Sequence, residues 1–216
     1  MHLLHGAAGA LCVWQCRCQK AINCSLGLQR VCATSCLSLI HILTPIGYLK
    51  IGPIDVTLMC IPVIIGTLTQ GFKTGLFLGL VFGATSLYQA LTAPSALVAP
   101  LISYSVPLCC IPIFVARLLI PIVVHFSYKL AKRLKNDAVG IGISAFLGTL
   151  TNTVFYLGLL LLLFSGILAT HLGTSVGGVL AVLAGVAGTN GVAEAVLAVI
   201  VCTPVVKALR KIYDKK

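Results

Sequence analysis

Three polar residues lie within long apolar stretches of the chain, where they have the chemistry to bind a small polar solute. Arg117, Asn152 and Glu194 each interrupt a run of apolar residues long enough to cross a membrane. A charge at the centre of such a run costs roughly 2.5–3.5 kcal/mol on insertion scales, so it marks either a binding site or a buried ion pair. The guanidinium group of Arg117 suits an anionic group of a ligand, and Asn190 adds a further donor and acceptor. The alternative is an ion pair between Arg117 and Glu194 that only holds two helices together.

The composition defines the elements that position these residues. Of the 216 residues, 59% are hydrophobic and 9% are charged, and the mean hydropathy is +1.09. Soluble domains carry about 25% charged residues, so the composition excludes a soluble enzyme, a disordered chain and a nucleic-acid-binding domain. Because one span needs roughly 20 apolar residues, the chain has room for about six helices. We therefore predict an all-α membrane protein, a bundle of six transmembrane helices.

The predicted domain organisation is simple. Residues 1–30 are an N-terminal extension of uncertain structure, and residues 31–216 form a six-helix transmembrane substrate-binding domain. Residues 166–189 are rich in Gly and Ala and are predicted as a loop plus a half-helix. The predicted spans are 31–46, 56–70, 74–91, 107–128, 138–165 and 190–206.

The basic residues orient this bundle. With six spans and a cytoplasmic N-terminus, 13 of the 15 Lys and Arg residues fall on the cytoplasmic side, Lys50 falls outside and Arg117 lies within a span. This asymmetry is the one that the positive-inside rule describes. It predicts a multi-pass protein of the plasma membrane with both termini in the cytoplasm, and it explains the net charge of +11 without nucleic acid.

The predicted topology brings the polar residues to similar depths. At about 1.5 Å per residue, Arg117 is about 15 Å and Glu194 about 7 Å below the outer face, and Asn152 is about 21 Å above the inner face. In a hydrocarbon layer about 30 Å thick, all three lie in the outer half or near the midplane. They can therefore converge on one cavity that opens to the outside.

Glycines recur every four residues along the third span. They lie on one helical face, where they allow another helix to approach closely. This face is either a packing surface within the bundle or a docking surface for a partner membrane protein. Its members are Gly71, Gly75, Gly79 and Gly83.

Motifs typical of enzymes and metal sites are missing from the sequence. With four acidic residues in total, there are few candidates for acid–base catalysis, and neither H-E-x-x-H nor G-x-S-x-G occurs. The cysteines of residues 12–24 lack the second spaced pair of a zinc site. We therefore predict no catalytic residues, no metal and no cofactor, and any energy from ATP must come from another chain.

Several segments of the chain form a recognisable set. They are Thr44-Pro45-Ile46-Gly47-Tyr48, Gly52-Pro53-Ile54-Asp55-Val56-Thr57-Leu58, Ile61-Pro62-Val63-Ile64-Ile65-Gly66, Gly79-Leu80-Val81-Phe82-Gly83-Ala84-Thr85-Ser86-Leu87, Gly148-Thr149-Leu150-Thr151-Asn152-Thr153 and Asn190-Gly191-Val192-Ala193-Glu194. With these segments the chain resembles the substrate-binding (S) components of energy-coupling factor (ECF) vitamin transporters, and most of all the pantothenate type. The resemblance covers about residues 31–216.

The resemblance implies a vitamin pocket near the outer face, built by the later helices and capped by the first outer loop. The pocket would include Arg117, Asn152, Asn190 and Glu194, and the lid, residues 48–55, would contribute Tyr48 and Asp55. The resemblance also implies a membrane coupling (T) subunit and two cytoplasmic ATPase subunits as partners. In the family, small residues spaced by four on the first helix serve docking, and Cys32 and Cys36 occupy that spacing here.

These observations favour the substrate-specific binding subunit of an importer, with pantothenate as the first expected ligand. Folate is also anionic, so another vitamin, folate or riboflavin among them, stays an alternative. A structural or assembly membrane protein without a ligand is the second alternative. A lipid-modifying membrane enzyme is disfavoured, because acidic and His clusters are missing.

Overall fold

The computed structural model describes residues 48–51, 54–57, 59–95, 98–133 and 136–214. The first predicted span, 31–46, lies outside these residues. The described elements, in chain order, are β1 (Tyr48–Ile51), β2 (Ile54–Thr57), α1 (Cys60–Gln70), α2 (Phe72–Thr92), α3 (Ala99–Tyr104), α4 (Val106–Ala131), α5 (Asp137–Leu172), α6 (Val176–Val186), a π-helical segment (Ala187–Gly191) and α7 (Val192–Asp214).

The predicted second span, 56–70, is corrected at its start. Strands β1 and β2 pair antiparallel, with Tyr48 opposite Thr57 and Lys50 opposite Asp55. Because Thr57 belongs to this hairpin, helix α1 begins only at Cys60 and has 11 residues. It is about 16 Å long, roughly half the thickness of the hydrocarbon layer.

A single glycine separates α1 from α2. Gly71 has φ +98°, a left-handed value that side chains disfavour. Its amide donates to the carbonyl of Thr67 at 3.1 Å, and its own carbonyl accepts from the amide of Gly75 at 3.1 Å. The chain therefore reverses direction here without leaving these backbone groups unpaired, which agrees with the short gap between the predicted spans 56–70 and 74–91.

The two C-terminal spans are longer than predicted. Helix α5 begins after Asn136, whose side chain accepts from the amide of Ala138, and continues to the left-handed Gly173 rather than ending at 165. The last span begins at Val176 rather than at 190, because α6, the π-helical segment and α7 follow each other without a break. Glycine weakens a helix by about 1 kcal/mol per residue in water. Inside a membrane an unpaired backbone costs more than that, so the Gly- and Ala-rich stretch stays helical.

Four helices meet at one end of the bundle around Arg210. Its guanidinium donates to the carbonyl oxygen of Leu68 at 2.9 Å, to the carboxylate of Asp137 at 3.1 Å and to the hydroxyl of Tyr128. Tyr128 in turn donates to Asp137 at 2.7 Å. We call this end of the molecule the basic end, because the described cations other than Arg117 and Lys50 lie in the helix ends that meet there: Lys73, Lys129, Lys132, Arg133, Lys207, Arg210 and Lys211.

The apolar core has two parts. The first, nearer the basic end, contains side chains of α1, α2, α4, α5 and α7, with Ile64, Leu78 and Ile120 fully buried. The second lies between α3, α4, α5 and α6 and is centred on Phe164 and Leu168. Many large apolar side chains point outward, as a lipid-facing surface requires.

Four helical stretches of the described chain are long and apolar enough to cross a membrane: Phe72–Thr92, Val106–Ala131, Asp137–Leu172 and Val176–Lys211. Helix α1 is apolar but shorter. The predicted class, a helical membrane bundle, is confirmed; its one β element in the described chain is the two-stranded hairpin.

Candidate functional site

Close packing of α2 against α4 fixes the position of Arg117. Three glycines of α2 are buried: Gly75, Gly79 and Gly83. A Cβ atom added to Gly75 would meet Pro121 of α4, one added to Gly79 would meet Arg117, and one added to Gly83 would meet Phe114. On Gly79 that atom would lie 2.9 Å from the carbonyl oxygen of Arg117. These three glycines therefore pack against other helices of the bundle, and a docking role toward a partner protein stays a prediction. Gly71 serves the turn between α1 and α2.

Proline shapes α4 at the same level. Pro112 and Pro121 both lie inside this helix. A proline has no amide hydrogen, so Pro121 cannot donate to the carbonyl four residues before it, which is that of Arg117. The backbone of α2 at Gly79 approaches this carbonyl, and only a residue without a side chain fits there.

The side chain of Arg117 lies between two aromatic rings. Its guanidinium carbon is 4.5 Å from the ring centroid of Tyr156 on α5 and 5.2 Å from that of Phe82 on α2. Both distances are within the range of cation–π attraction. The Nε and Nη1 atoms are buried and have no hydrogen-bond partner among the described residues. A buried N–H group without a partner is costly, so the arrangement favours an external acceptor.

Asn152 lies one helical turn from Tyr156 on α5. Residues four apart share a face of a helix, with Cβ atoms about 5–6 Å apart. Asn152 is 7% exposed, and within the described part of the chain its Oδ1 atom has no hydrogen-bond partner. Beside it, Thr153 packs against Gly191 at the end of the π-helical segment. An unsatisfied amide oxygen is thus present on the same face as the ring that contacts Arg117.

Cys60 and Glu194 belong to the same neighbourhood. The thiol of Cys60, at the first position of α1, is close enough to interact electrostatically with both Arg117 and Glu194. Counted along the helices from the Arg210 contacts, Arg117 is about 16 Å, Asn152 about 22 Å and Glu194 about 24 Å from the basic end. The three residues therefore lie within about 8 Å of one another along the bundle axis.

The predicted start of the span that carries Glu194 is corrected. The span begins at Val176 rather than at 190, so Glu194 is about 27 Å along it rather than about 7 Å. The added length comes from the Gly- and Ala-rich stretch, which the sequence predicted as a loop plus a half-helix.

The remaining predicted residues are placed only in part. Asn190 lies in the π-helical segment, half-buried, and its Oδ1 accepts from the hydroxyl of Thr189 at 3.4 Å. Strand β2, which contains Asp55, runs beside this segment and the start of α7. Tyr48 is placed by its pairing with Thr57 in the hairpin. Cys32 and Cys36 lie outside the described residues.

Sequence reasoning named the charged and amide residues of this candidate site and did not name Phe82, Tyr156 and Cys60. Aromatic and thiol side chains in apolar spans look like ordinary core residues, so their types give no signal. The spacing of Tyr156 from Asn152 was the one available indication. The assembled site has paired N–H donors, an amide and aromatic walls, which suits an organic anion with further polar groups.

Two comparisons with known proteins define the class. A family model described as "ECF transporter, substrate-specific component" matches residues 30–206. The chain therefore belongs to the family of substrate-specific S components of ECF transporters, a family of transport proteins. One relative is the pantothenic acid transporter PanT of Lactococcus lactis subsp. cremoris (strain MG1363), which is 36% identical over 167 residues, or 74% of this chain and 80% of that protein. The predicted family and fold type are confirmed.

Proposed function

We propose that this protein is the pantothenate-binding subunit of an ECF-type importer. It captures pantothenate from outside the cell and releases it inward, and it catalyses no reaction itself. Its family and its likeness to PanT support a vitamin ligand. Pantothenate carries a carboxylate at one end, an amide in the middle and two hydroxyl groups at the other end.

The observation that carries the proposal is the state of Arg117. Its Nε and Nη1 donors are buried and unpartnered among the described residues, between the rings of Phe82 and Tyr156. A carboxylate would pair with these donors and neutralise the charge. Asn152, with its unpartnered Oδ1, would accept from an amide or hydroxyl group of the ligand. A neutral vitamin such as riboflavin leaves the guanidinium without a counter-charge, so it fits less well.

The proposed roles of the remaining residues depend on how the bundle is oriented in the membrane. The basic end faces the cytoplasm, with both chain termini on that side, and the hairpin faces the outside. The hairpin, with Tyr48 and Asp55, closes over the ligand, while Asn190 and Glu194 complete the polar wall. Glu194 then orients Arg117 or accepts from a ligand hydroxyl.

Transport requires partners that supply energy. We propose a membrane coupling (T) subunit and two cytoplasmic ATPase subunits, which together move the S component between its outward and inward states. Cys32 and Cys36 on the first span are the proposed docking residues. Reconstitution in vesicles tests this step: pantothenate should accumulate only when the coupling subunit, both ATPase subunits and ATP are all present.

The binding step is tested with the purified protein and a panel of pantothenate, panthenol, folate and riboflavin. Panthenol replaces the carboxylate by an alcohol, so the wild-type protein should bind it at least about 100-fold more weakly, equivalent to about 2.7 kcal/mol. Arg117→Gln should bind both compounds weakly and with similar affinity. Lys73→Gln, which removes an exposed charge outside the site, should keep the wild-type preference.

Other outcomes overturn the proposal at different levels. If the protein binds folate or riboflavin tightly and does not bind pantothenate, it is still a vitamin-binding subunit, but pantothenate is not its substrate. Absence of binding by folded protein to every compound in the panel would reject the binding subunit and favour a structural role.

A further inference from the structure

Four residues near the end of α4 line an open groove on the outer surface of the bundle. They are Phe126, Lys129, Leu130 and Arg133, and the groove has a volume of about 470 Å³. Their spacing of three and four residues places them on one helical face. Arg133 follows the last residue of α4, but its amide donates to the carbonyl of Leu130 at 3.2 Å, which keeps the chain in a turn over the same face.

The two apolar side chains of the groove, Phe126 and Leu130, are exposed, and the ring of Phe126 packs against a neighbouring ring. Phe126 is 61% and Leu130 is 67% exposed, the latter among the highest values of any large apolar side chain in the described chain. The ring of Phe126 contacts the ring of His125 edge-on at 5.7 Å, and His125 in turn contacts Phe72 of α2 at 5.3 Å. An aromatic surface is therefore held in place beside the groove.

The cations of the groove are not used inside the protein. Both Lys129 and Arg133 are exposed, and in the described chain the salt bridge that forms is the one between Arg210 and Asp137. Lys132, which points elsewhere, lies over the ring of Tyr128 at 5.4 Å. Two positive charges one turn apart thus face outward, while the nearby carboxylate of Asp137 is engaged by Arg210 and Tyr128.

The pairing of cations with exposed apolar side chains on this face matches a phospholipid. Each cation is three residues nearer the helix end than an apolar partner, Lys129 after Phe126 and Arg133 after Leu130, a rise of about 4.5 Å. Phe126 is therefore nearest the membrane centre and Arg133 nearest the helix end, and Lys129 and Leu130 lie between them at nearly the same level. A soluble acidic segment would match the two charges but would leave the two apolar side chains beside them exposed to water.

From this arrangement we propose that the groove binds a glycerophospholipid with an anionic headgroup. Lys129 and Arg133 hold the phosphate, and the acyl chains pack on Phe126 and Leu130. The site lies on the outer surface of α4 and is independent of the pocket around Arg117. One lipid molecule therefore binds at a defined position at the basic end. This binding is additional to the general attraction between basic loops and an anionic membrane.

Native mass spectrometry of the delipidated full-length protein tests the site by titration with dioleoyl-phosphatidylglycerol and dioleoyl-phosphatidylcholine. The double variant Lys129→Gln/Arg133→Gln should bind the first phosphatidylglycerol at least about tenfold more weakly. The matched control Lys207→Gln/Lys211→Gln removes two exposed charges from α7 at the same end and should stay within about twofold of the wild type. Phosphatidylcholine should bind weakly to all three proteins.

A third variant separates headgroup from chain recognition. Leu130→Ala, at an exposed position, should weaken phosphatidylglycerol binding about threefold without lowering thermal stability. Soluble glycerol 3-phosphate should fail to displace the lipid.

Four results would overturn the site. They are unchanged lipid binding by the double variant, an equal loss in the control, displacement by glycerol 3-phosphate as effective as by lipid, and equally tight binding of phosphatidylcholine and phosphatidylglycerol to the wild type. Thermal unfolding of each variant confirms that the protein tested is folded.

Discussion

Two arginines within the bundle have opposite surroundings. Arg210 contacts an acidic side chain, a phenol and a backbone carbonyl, and its guanidinium also lies 4.7 Å from the ring centroid of Tyr128. Arg117 lies between two aromatic rings, and its Nε and Nη1 atoms have no hydrogen-bond partner within the described residues. Both side chains join helices that are distant in sequence, so topology alone does not distinguish them.

These surroundings distinguish Arg210, which stabilises the fold, from Arg117, which is suited to bind a ligand. The protein provides the anion for Arg210, in the form of Asp137. For Arg117 it provides aromatic walls and has Glu194 in the same neighbourhood, but it leaves the Nε and Nη1 donors without an acceptor among the described residues. A buried donor without an acceptor destabilises a fold, so its retention makes sense where an external anion arrives. The following variants test this contrast, from the largest expected effect to the smallest.

Replacing Arg117 by Met should abolish pantothenate binding, with at least a 100-fold loss of affinity, because the counter-charge of the carboxylate disappears. The thermal stability of the ligand-free protein should be unchanged or higher, because two buried N–H donors without an acceptor in the described chain are removed. Isothermal titration and thermal unfolding measure the two effects. A large loss of stability would show instead that Arg117 is a structural residue like Arg210.

Gly79→Ala tests the packing that positions Arg117. The added Cβ would lie 2.9 Å from the carbonyl oxygen of Arg117, so α2 and α4 must separate. We expect a loss of about 1–3 kcal/mol in stability, and weaker pantothenate binding because Arg117 moves. Gly158→Ala is the control, since a Cβ there meets no atom within 4 Å, and it should leave stability and binding unchanged. Equal unfolding temperatures for both variants would contradict the packing described.

Replacing Arg210 by Met should show the reverse pattern to Arg117→Met. The carbonyl of Leu68 and the carboxylate of Asp137 lose a partner, but Asp137 is 52% exposed and water replaces part of the loss. We therefore expect a destabilisation of about 1–2 kcal/mol, with pantothenate affinity within about twofold of the wild type. Loss of binding without loss of stability would reverse the assignment of the two arginines.

Tyr156→Leu should weaken pantothenate binding about fivefold, because the ring that contacts the guanidinium is removed, an interaction worth about 1 kcal/mol. Tyr156→Phe keeps the ring and should bind within about twofold of the wild type. If the two variants lose affinity equally, the hydroxyl rather than the ring is the important group.

The sequence predicted the parts of the fold that depend on composition and charge. Long apolar runs identified α2, α4 and α5, and the distribution of cations identified the basic end, because the membrane imposes both patterns on any chain. The beginning of α1 and the extent of the last span were predicted wrongly. They depend on strand pairing at Thr57 and on helix formation by a Gly-rich stretch, and neither is encoded by hydropathy.

For the candidate site, the sequence identified Arg117 because a charge in an apolar span is rare. It did not identify the aromatic walls, since Phe82 and Tyr156 match the composition around them. It also left open whether the glycine repeat served packing or docking. The contact between Gly79 and the backbone of Arg117 supports the packing role.

The proline in α4 has a mechanical consequence. Because Pro121 cannot bond to the carbonyl of Arg117, the helix lacks one of its internal links at the level of the guanidinium group. Bending at that point breaks no backbone hydrogen bond between these two residues, so it meets less resistance than elsewhere in α4. The segment 106–117 can then tilt relative to the basic end, which stays fixed by Arg210. A bend at this joint would change the direction of the Arg117 side chain, and with it the position of the charge proposed to hold the ligand.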